Sequence, residues 1–229
     1  MRKYLRENPW LHVVIMIIHP DIVKPKLISL PSYFCFGILY QLMLKLAHIT
    51  SKYRSLLIAN TYKSWIAPQK KVLDIGCGNG VVSLSLQEKL NISVTGCDVI
   101  TYVSKQLPYI QMSSEDKLPF GNKTFDVAMF NDVLHHMPKN NQKKLLAEAF
   151  RVASVVVIFE VQPTLRGKIF DFLLNKIHHM TMRIPFTFRT ISGWTTLFDE
   201  LRLSYKVYLV PTPVLYPFSH VAFQLKKKY

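Results

Sequence analysis

The chain has 229 residues, of which 49% are hydrophobic and 19% are charged. This length and apolar content suffice to bury a core, and they exclude a disordered or low-complexity chain. The three cysteines, Cys35, Cys77 and Cys97, follow neither a disulfide-framework spacing nor a zinc-ligand spacing. The short apolar run at residues 11–18 lacks a cleavage site, so no secretory signal is predicted. These features favour the reducing cytoplasm.

The net charge of +15 is unevenly distributed along the chain. Residues 1–70 carry a net charge of +8 and residues 161–229 carry +7, whereas residues 71–160 are neutral. Basic flanks of this kind fit an anionic partner, either a nucleic acid or a phospholipid surface. A lysine-rich coding bias would give the same excess.

The first 66 residues are predicted to form an N-terminal helical cap segment. Residues 27–49 are strongly apolar, but Pro31 and Lys45 are among the residues that interrupt them, which favours a cap or interfacial helix over a membrane span. Residues 51–66 have apolar and aromatic side chains near helical spacing. We therefore predict a helix there that precedes the main domain.

Residues 67–229 are predicted to form that domain. From Lys71 to Glu160, short runs rich in Val and Ile alternate with helical patterns, which is typical of a parallel sheet with both faces covered. Residues 161–190 are too long for an ordinary connection and are predicted to form a lid-like insertion. A helix and two strands complete the predicted order.

The sequence VLDIGCGNG, which starts at Val72, stands at a predicted junction between a strand and a helix. Glycines at alternate positions allow a tight turn and a close approach of the backbone to a ligand, next to the free N–H groups of a helix N-terminus. The spacing differs from the dinucleotide fingerprint GxGxxG. A ligand without a pyrophosphate is therefore indicated.

This motif, the later GCDV and the segment LPFGNKTFDVAMFNDVLHH together resemble the class I S-adenosylmethionine-dependent methyltransferases, particularly small-molecule enzymes of the quinone-biosynthesis type. The resemblance covers roughly residues 71–160. It implies an α/β, Rossmann-like fold with a seven-stranded, mostly parallel sheet, helices on both faces and an N-terminal helical cap. It also implies S-adenosylmethionine as cofactor and S-adenosylhomocysteine as product.

The resemblance also implies a set of cofactor-binding residues. Asp74 would reach the methionine amino group, and Asp98 would accept hydrogen bonds from both ribose hydroxyls. Ser114 stands where the family often has an aspartate near the adenine, and Asn131 matches a position at the methionine end. As alternatives, Asp98 is a turn residue and Asn131 a helix cap. The full set is Asp74, Gly76, Cys77, Gly78, Gly80, Asp98, Ser114, Glu115, Asn131, Leu134 and His135.

Three residues are candidate catalytic groups. Glu160 ends a predicted strand, where open α/β sheets place groups that face a substrate. His136 is a candidate base, and Asp132 is placed similarly but could bind only the local backbone. The sequence predicts no metal site, because no carboxylate or further histidine stands at ligand spacing near the His135-His136 pair.

The function expected from these features is methylation of a small, lipophilic or aromatic acceptor beneath an apolar, basic cap, with peripheral contact to an anionic membrane. The alternative is a nucleic-acid methyltransferase that uses the basic flanks to bind RNA phosphates. One feature opposes this alternative. NDVLHH stands where enzymes that methylate the exocyclic amines of nucleic-acid bases typically have an Asn/Asp-Pro-Pro-Tyr/Phe box. A third reading is a cofactor-binding scaffold without turnover. The accepting atom and the oligomeric state stay open.

Overall fold

The computed structural model describes residues 49–100, 106–178, 187–214 and 216–228. The predicted apolar helix at 27–49 and most of the predicted cap at 1–66 lie outside these ranges. Part of the predicted insertion, residues 179–186, also lies outside them. Contacts within the chain group residues 47–229 into one compact unit.

A seven-stranded sheet forms the centre of this unit, with the strand order β3-β2-β1-β4-β5-β7-β6. The first five strands pair in parallel, and β7 pairs antiparallel with both β5 and β6. The predicted mostly parallel sheet is confirmed. Its strands are β1 (Lys71–Ile75), β2 (Ser93–Asp98), β3 (Tyr109–Gln111), β4 (Phe125–Asn131), β5 (Ala153–Val161), β6 (Leu203–Val210) and β7 (His220–Lys227).

Five helices accompany the strands in the described part of the chain. They are α1 (residues 49–62), α2 (Val81–Leu90), α3 (Lys139–Val152), α4 (Leu165–His178) and α5 (Ile191–Glu200). A single 3₁₀ turn, Leu134–His136, follows β4. Within the described ranges, none of these helices combines the length and the apolar character needed to cross a bilayer.

The strand residues alternate between two hydrophobic cores, one on each face of the sheet. In β4, Ala128 and Phe130 belong to the core that contains residues of α3 and α5, whereas Val127 and Met129 belong to the core that contains residues of α1 and α2. This two-residue period is the geometry of a strand that is buried on both faces. Helix α1 packs in the second core through buried Ile58 and Tyr62, so it shares a core with the sheet.

The strand order brings the polar strand ends together. Strands β2, β1, β4 and β5 are parallel neighbours, so their carboxyl ends share one edge of the sheet. Asp98 ends β2, Asn131 ends β4, and Glu160 is the penultimate residue of β5. In open α/β sheets this edge is the usual location of a ligand site.

Candidate active site

The loop after β1 has a backbone that requires glycine. Gly76, Gly78 and Gly80 have φ angles of 73°, 55° and 78°, in the left-handed region that residues with a Cβ atom rarely occupy. A Cβ atom at Gly76 would also lie 2.6 Å from both methyl groups of Val133. The glycines therefore let this loop pass close to the segment after β4. Gly80 is the N-cap of α2.

Cys77 lies in the same loop and is buried. Burial raises the pKa of its thiol, and the nearby carboxylates of Asp74 and Asp98 raise it further. The thiol therefore stays protonated at neutral pH and is a packing group rather than a nucleophile. It lies against Gly96 of β2, where a Cβ atom would come within 2.7 Å of the sulfur.

Asp98 connects the glycine loop to the neighbouring strand. Its Oδ2 accepts a hydrogen bond from the Gly78 N–H at 3.0 Å, and its carbonyl accepts one from the Tyr109 hydroxyl at 2.9 Å. The side chain is half-buried beside the exposed Val99 and Ile100. The carboxylate has further lone pairs that can accept hydrogen bonds from the two hydroxyls of a diol. The apolar side chains beside it can pack against a ring attached to that diol.

The loop that contains Ser114 and Glu115 follows β3, the strand next to Asp98. The Met112 N–H donates to the Asp98 carbonyl at 2.8 Å, which fixes the start of this loop. Ser114 is half-buried, whereas Glu115 is exposed and accepts a hydrogen bond from Asn141 at 3.2 Å. Of these two predicted cofactor-binding residues, Ser114 is therefore the less solvated.

Asp74 is the buried centre of a second polar network. Its two oxygens accept hydrogen bonds from the Ser83 hydroxyl at 2.6 Å and the Asn131 amide at 3.1 Å. The Tyr62 hydroxyl donates to the other end of the Asn131 side chain at 3.1 Å. Burial raises the pKa of Asp74 to about 7, although the bonds from Ser83 and Asn131 oppose the rise. A cation placed beside it would favour the ionised carboxylate.

Glu160 is fully buried and accepts hydrogen bonds from three successive residues of the segment after β4. Its Oε1 accepts the N–H groups of Val133 and Leu134 at 3.0 and 2.7 Å, and its Oε2 accepts Nδ1–H of His135 at 2.6 Å. These contacts occupy both carboxylate oxygens. Glu160 therefore lies where it holds the loop in shape. The Leu134 side chain is in the hydrophobic core.

His135 and His136 are adjacent but differ in their surroundings. Burial alone would lower the pKa of His135, but the charge of Glu160 and hydrogen bonds to Asp171 and Glu160 raise it to about 10. Burial and the charge on His135 lower the pKa of His136 to about 3. At neutral pH His136 is therefore uncharged and is a poor proton acceptor.

Asp132 is the anchor of a cluster next to Asn131. Its backbone has a positive φ of 57°, and its Oδ2 lies 3.3 Å from both Arg54 Nη1 and His220 Nε2. Burial raises the pKa of Asp132, but the charge and hydrogen bond of His220 and the charge of Arg54 hold it below its usual range. Because an ionised carboxylate only accepts, Nε2 of His220 carries the proton.

Four buried polar atoms of this cluster have no hydrogen-bond partner among the described residues: Arg54 Nε, Asp132 Oδ1, Tyr216 Oη and His220 Nδ1. Buried polar atoms in folded proteins are rarely left unsatisfied. Aromatic rings surround them, with Phe159 4.5 Å and Tyr216 5.8 Å from the His220 ring. We call Arg54, Asp132, Tyr216 and His220 the Asp132 cluster. Its unpaired atoms include hydrogen-bond donors and acceptors that a ligand could pair with.

Several residues of these networks are absent from the candidates found by sequence reasoning. Arg54 and Tyr62 lie on α1, and Tyr216 and His220 lie near the start of β7, so only the folded chain brings them to Asp132 and Asn131. Ser83 could have been found from the sequence, because it is a polar residue three positions after Gly80, on the helix that follows the glycine loop. The structure shows it to be buried.

Comparison with known proteins relates the central region of the chain to methyltransferases. Residues 73–155 match the family model described as a methyltransferase domain. A sterol methyltransferase-like protein of Botryococcus braunii is 32% identical over 130 residues, which cover 51% of this chain and 32% of that protein. A ubiquinone biosynthesis O-methyltransferase of Vibrio parahaemolyticus is 32% identical over 80 residues, which cover 30% of this chain and 34% of that protein. The chain thus spans about a third of each of these relatives.

The fold extends this likeness beyond the matched segment. The crystal structure of a 1,6-didemethyltoxoflavin-N1-methyltransferase from Burkholderia thailandensis, with bound 1,6-didemethyltoxoflavin and S-adenosylhomocysteine, aligns with a TM-score of 0.55. The alignment covers 90% of this chain and 94% of that chain at 17% identity. At this identity the likeness establishes the fold.

The raised pKa of Asp74 predicts a pH-dependent stability. Between about pH 4 and 7 the folded state keeps a proton that the unfolded state has released, so the free energy of unfolding should fall as pH rises, by roughly 1.4 kcal/mol per pH unit at most. Urea unfolding of wild type and Asp74→Asn across pH 4.5–7.5 measures this slope, since the variant stays neutral. Equal slopes in the two proteins would contradict the burial of an ionisable Asp74.

Proposed function

We propose that the chain is a class I S-adenosylmethionine-dependent methyltransferase that methylates a small, lipophilic or aromatic acceptor; the match of residues 73–155 to a methyltransferase domain supports the reaction type. The observation that carries the proposal is the continuity of two polar networks. Asn131 closes the network around Asp74, and the next residue, Asp132, anchors the cluster of unpaired polar atoms. The binding sites for the cofactor and for the acceptor would therefore meet at two consecutive residues, Asn131 and Asp132.

The residues present fit S-adenosylmethionine. The half-exposed Asp98 carboxylate would accept hydrogen bonds from the ribose hydroxyls, with Val99 and Ile100 flanking the adenine and the Ser114 loop nearby. The buried Asp74 and Asn131 would hold the charged methionine end. When bound, this cofactor supplies a methyl group already activated on a positively charged sulfur. The protein then needs mainly to orient the acceptor and exclude water. Good orientation of two reactants can lower the activation barrier by roughly 7–11 kcal/mol.

The Asp132 cluster supplies an orienting and proton-accepting site for a hydroxyl acceptor. Asp132 accepts Nε2–H of His220, so in the neutral form of that ring the lone pair is on Nδ1 and would take the acceptor proton. The acceptor oxygen, once relieved of its proton, would be the nucleophile for the methyl group that the bound cofactor would supply. Arg54 Nε would donate to the acceptor and fix its position. In this arrangement Glu160 is a positioning residue, and the neutral His136 is not the base.

Two observations support a small, lipophilic acceptor over RNA. The unpaired atoms are buried among aromatic rings, which suits a compact molecule better than a polynucleotide. The two curated relatives are named for sterol and ubiquinone chemistry, and both compounds are lipophilic. An exposed apolar stripe on α4 suits peripheral contact with the membranes that dissolve such molecules; it consists of Leu165, Ile169, Phe172 and Leu173.

The acceptor class is tested with methyl-labelled S-adenosylmethionine, purified protein and a cell extract. After the reaction, the label is counted in membrane-lipid, aqueous small-molecule, nucleic-acid and protein fractions. We expect the label in the lipid-soluble fraction. Label in nuclease-sensitive material would instead support an RNA methyltransferase whose basic flanks bind phosphates. A reaction without the added protein provides the background.

Removing the proposed base should slow the reaction without weakening cofactor binding. In His220→Gln, kcat should fall roughly 100-fold because general-base catalysis contributes about 10²–10⁴-fold. The residual rate should also become less dependent on pH. The affinity for S-adenosylhomocysteine, measured by calorimetry, should stay within about twofold of wild type, since His220 contacts Asp132 and the rings of Phe159, Tyr216 and Phe218 rather than the proposed cofactor residues. Unchanged kcat would remove His220 from the mechanism.

A further inference from the structure

A second group of potential ligand atoms lies outside the networks used above. His135 and His136 of the turn after β4 and Asp171 of helix α4 each offer one donor atom, and the three atoms lie within 4.8 Å of one another. His135 and Asp171 are buried, with exposed fractions of 0% and 7%, and His136 is half-buried. We call these residues the His-His-Asp group. It joins two elements that are distant in sequence.

One imidazole nitrogen in this group is buried and unsatisfied: Nδ1 of His136 has no hydrogen-bond partner among the described residues. Nε2 of His135 faces Asp171, whose Oδ1 lies 3.5 Å away, at the outer limit of a hydrogen bond. A buried imidazole nitrogen without a partner, close to a second imidazole and a carboxylate, has the surroundings of a metal ligand.

Glu160 supplies the outer contact that metal-binding histidines usually have. It accepts Nδ1–H of His135 at 2.6 Å, so the other ring nitrogen, Nε2, lies on the side of Asp171 and would bind an ion after losing its proton. Metal-ligating histidines commonly donate their other ring N–H to a carboxylate in this way. Phe188 stacks on the same ring with centroids 4.6 Å apart, which fixes the orientation of the ring.

We propose that His135, His136 and Asp171 bind one divalent first-row transition ion, with Zn²⁺ as the best match to two imidazoles and one carboxylate. Zinc bonds of about 2.0–2.2 Å place tetrahedral ligands roughly 3.4 Å apart, so the three donor atoms need to approach by at most about 1.4 Å. A water molecule would complete the coordination. The ion would fasten helix α4 to the turn after β4, beside the Asp132 cluster.

The competing explanation needs no metal. Glu160 and Asp171 lie on opposite nitrogens of His135 and could hold it as a cation between them. That arrangement leaves the buried Nδ1 of His136 without a partner, whereas a metal ion would give this nitrogen one. The two explanations differ in whether the protein binds zinc at stoichiometric amounts.

The test is zinc binding by the full, tag-free chain, measured against a chromophoric chelator, together with thermal melting. We expect one Zn²⁺ per chain, with a higher melting temperature in zinc than after chelation. His136→Gln and Asp171→Asn should each weaken zinc binding at least about tenfold and lose the thermal shift. Asp199→Asn, at a surface aspartate with a side chain 57% exposed, is the matched control and should bind zinc like wild type.

X-ray absorption of the wild-type zinc form gives a result that does not depend on the folding of variants. We expect nitrogen and oxygen neighbours with two imidazoles. Sulfur neighbours would place the ion at cysteines and overturn the proposal. So would the lack of stoichiometric zinc in wild type, or zinc binding unchanged in both His136→Gln and Asp171→Asn. None of these readouts requires methyl transfer, so the result is independent of the proposed function.

Discussion

The arrangement of the site depends on the hydrogen bonds that the buried carboxylate of Glu160 accepts. Three donors from residues 133–135 converge on it, and it is fully buried. A buried charge is tolerated only when it is fully hydrogen-bonded, so the chain after β4 has little freedom to move. This constraint lets Asn131 reach Asp74 while Asp132, in a left-handed backbone conformation, reaches His220.

Much of the fold could be predicted from the sequence because its signals are local. Runs of apolar residues marked β1, β4 and β5, and alternate glycines marked the turn before α2. The left-handed φ angles of Gly76, Gly78 and Gly80 give the physical reason for that spacing. The seven-stranded, mostly parallel sheet is confirmed, and Asp74, Asp98 and Asn131 lie at or near the carboxyl ends of neighbouring strands.

The acceptor side could not be predicted because its contacts join distant parts of the chain. His220 meets Asp132 across 88 residues, and Arg54 meets it across 78. Glu160 stood at the expected strand end, but its surroundings depend on a loop 25–27 residues earlier, which turns a candidate acid into a buried hydrogen-bond acceptor. Likewise, Asp171 comes close to His135 and His136 only when α4 packs against the turn after β4. The spacing in the sequence therefore gave no indication that these three residues form a group.

Calorimetric titration of S-adenosylhomocysteine into wild type and Asp98→Ala tests the central claim that this edge of the sheet binds the cofactor. Hydrogen bonds to a charged group contribute about 1.5–3 kcal/mol, so Asp98→Ala should bind at least about tenfold more weakly than wild type. Asp126→Ala, near the amino end of β4 and thus at the opposite edge of the sheet, should keep wild-type affinity. Equal affinity of wild type and Asp98→Ala, or no binding by wild type, would contradict the account.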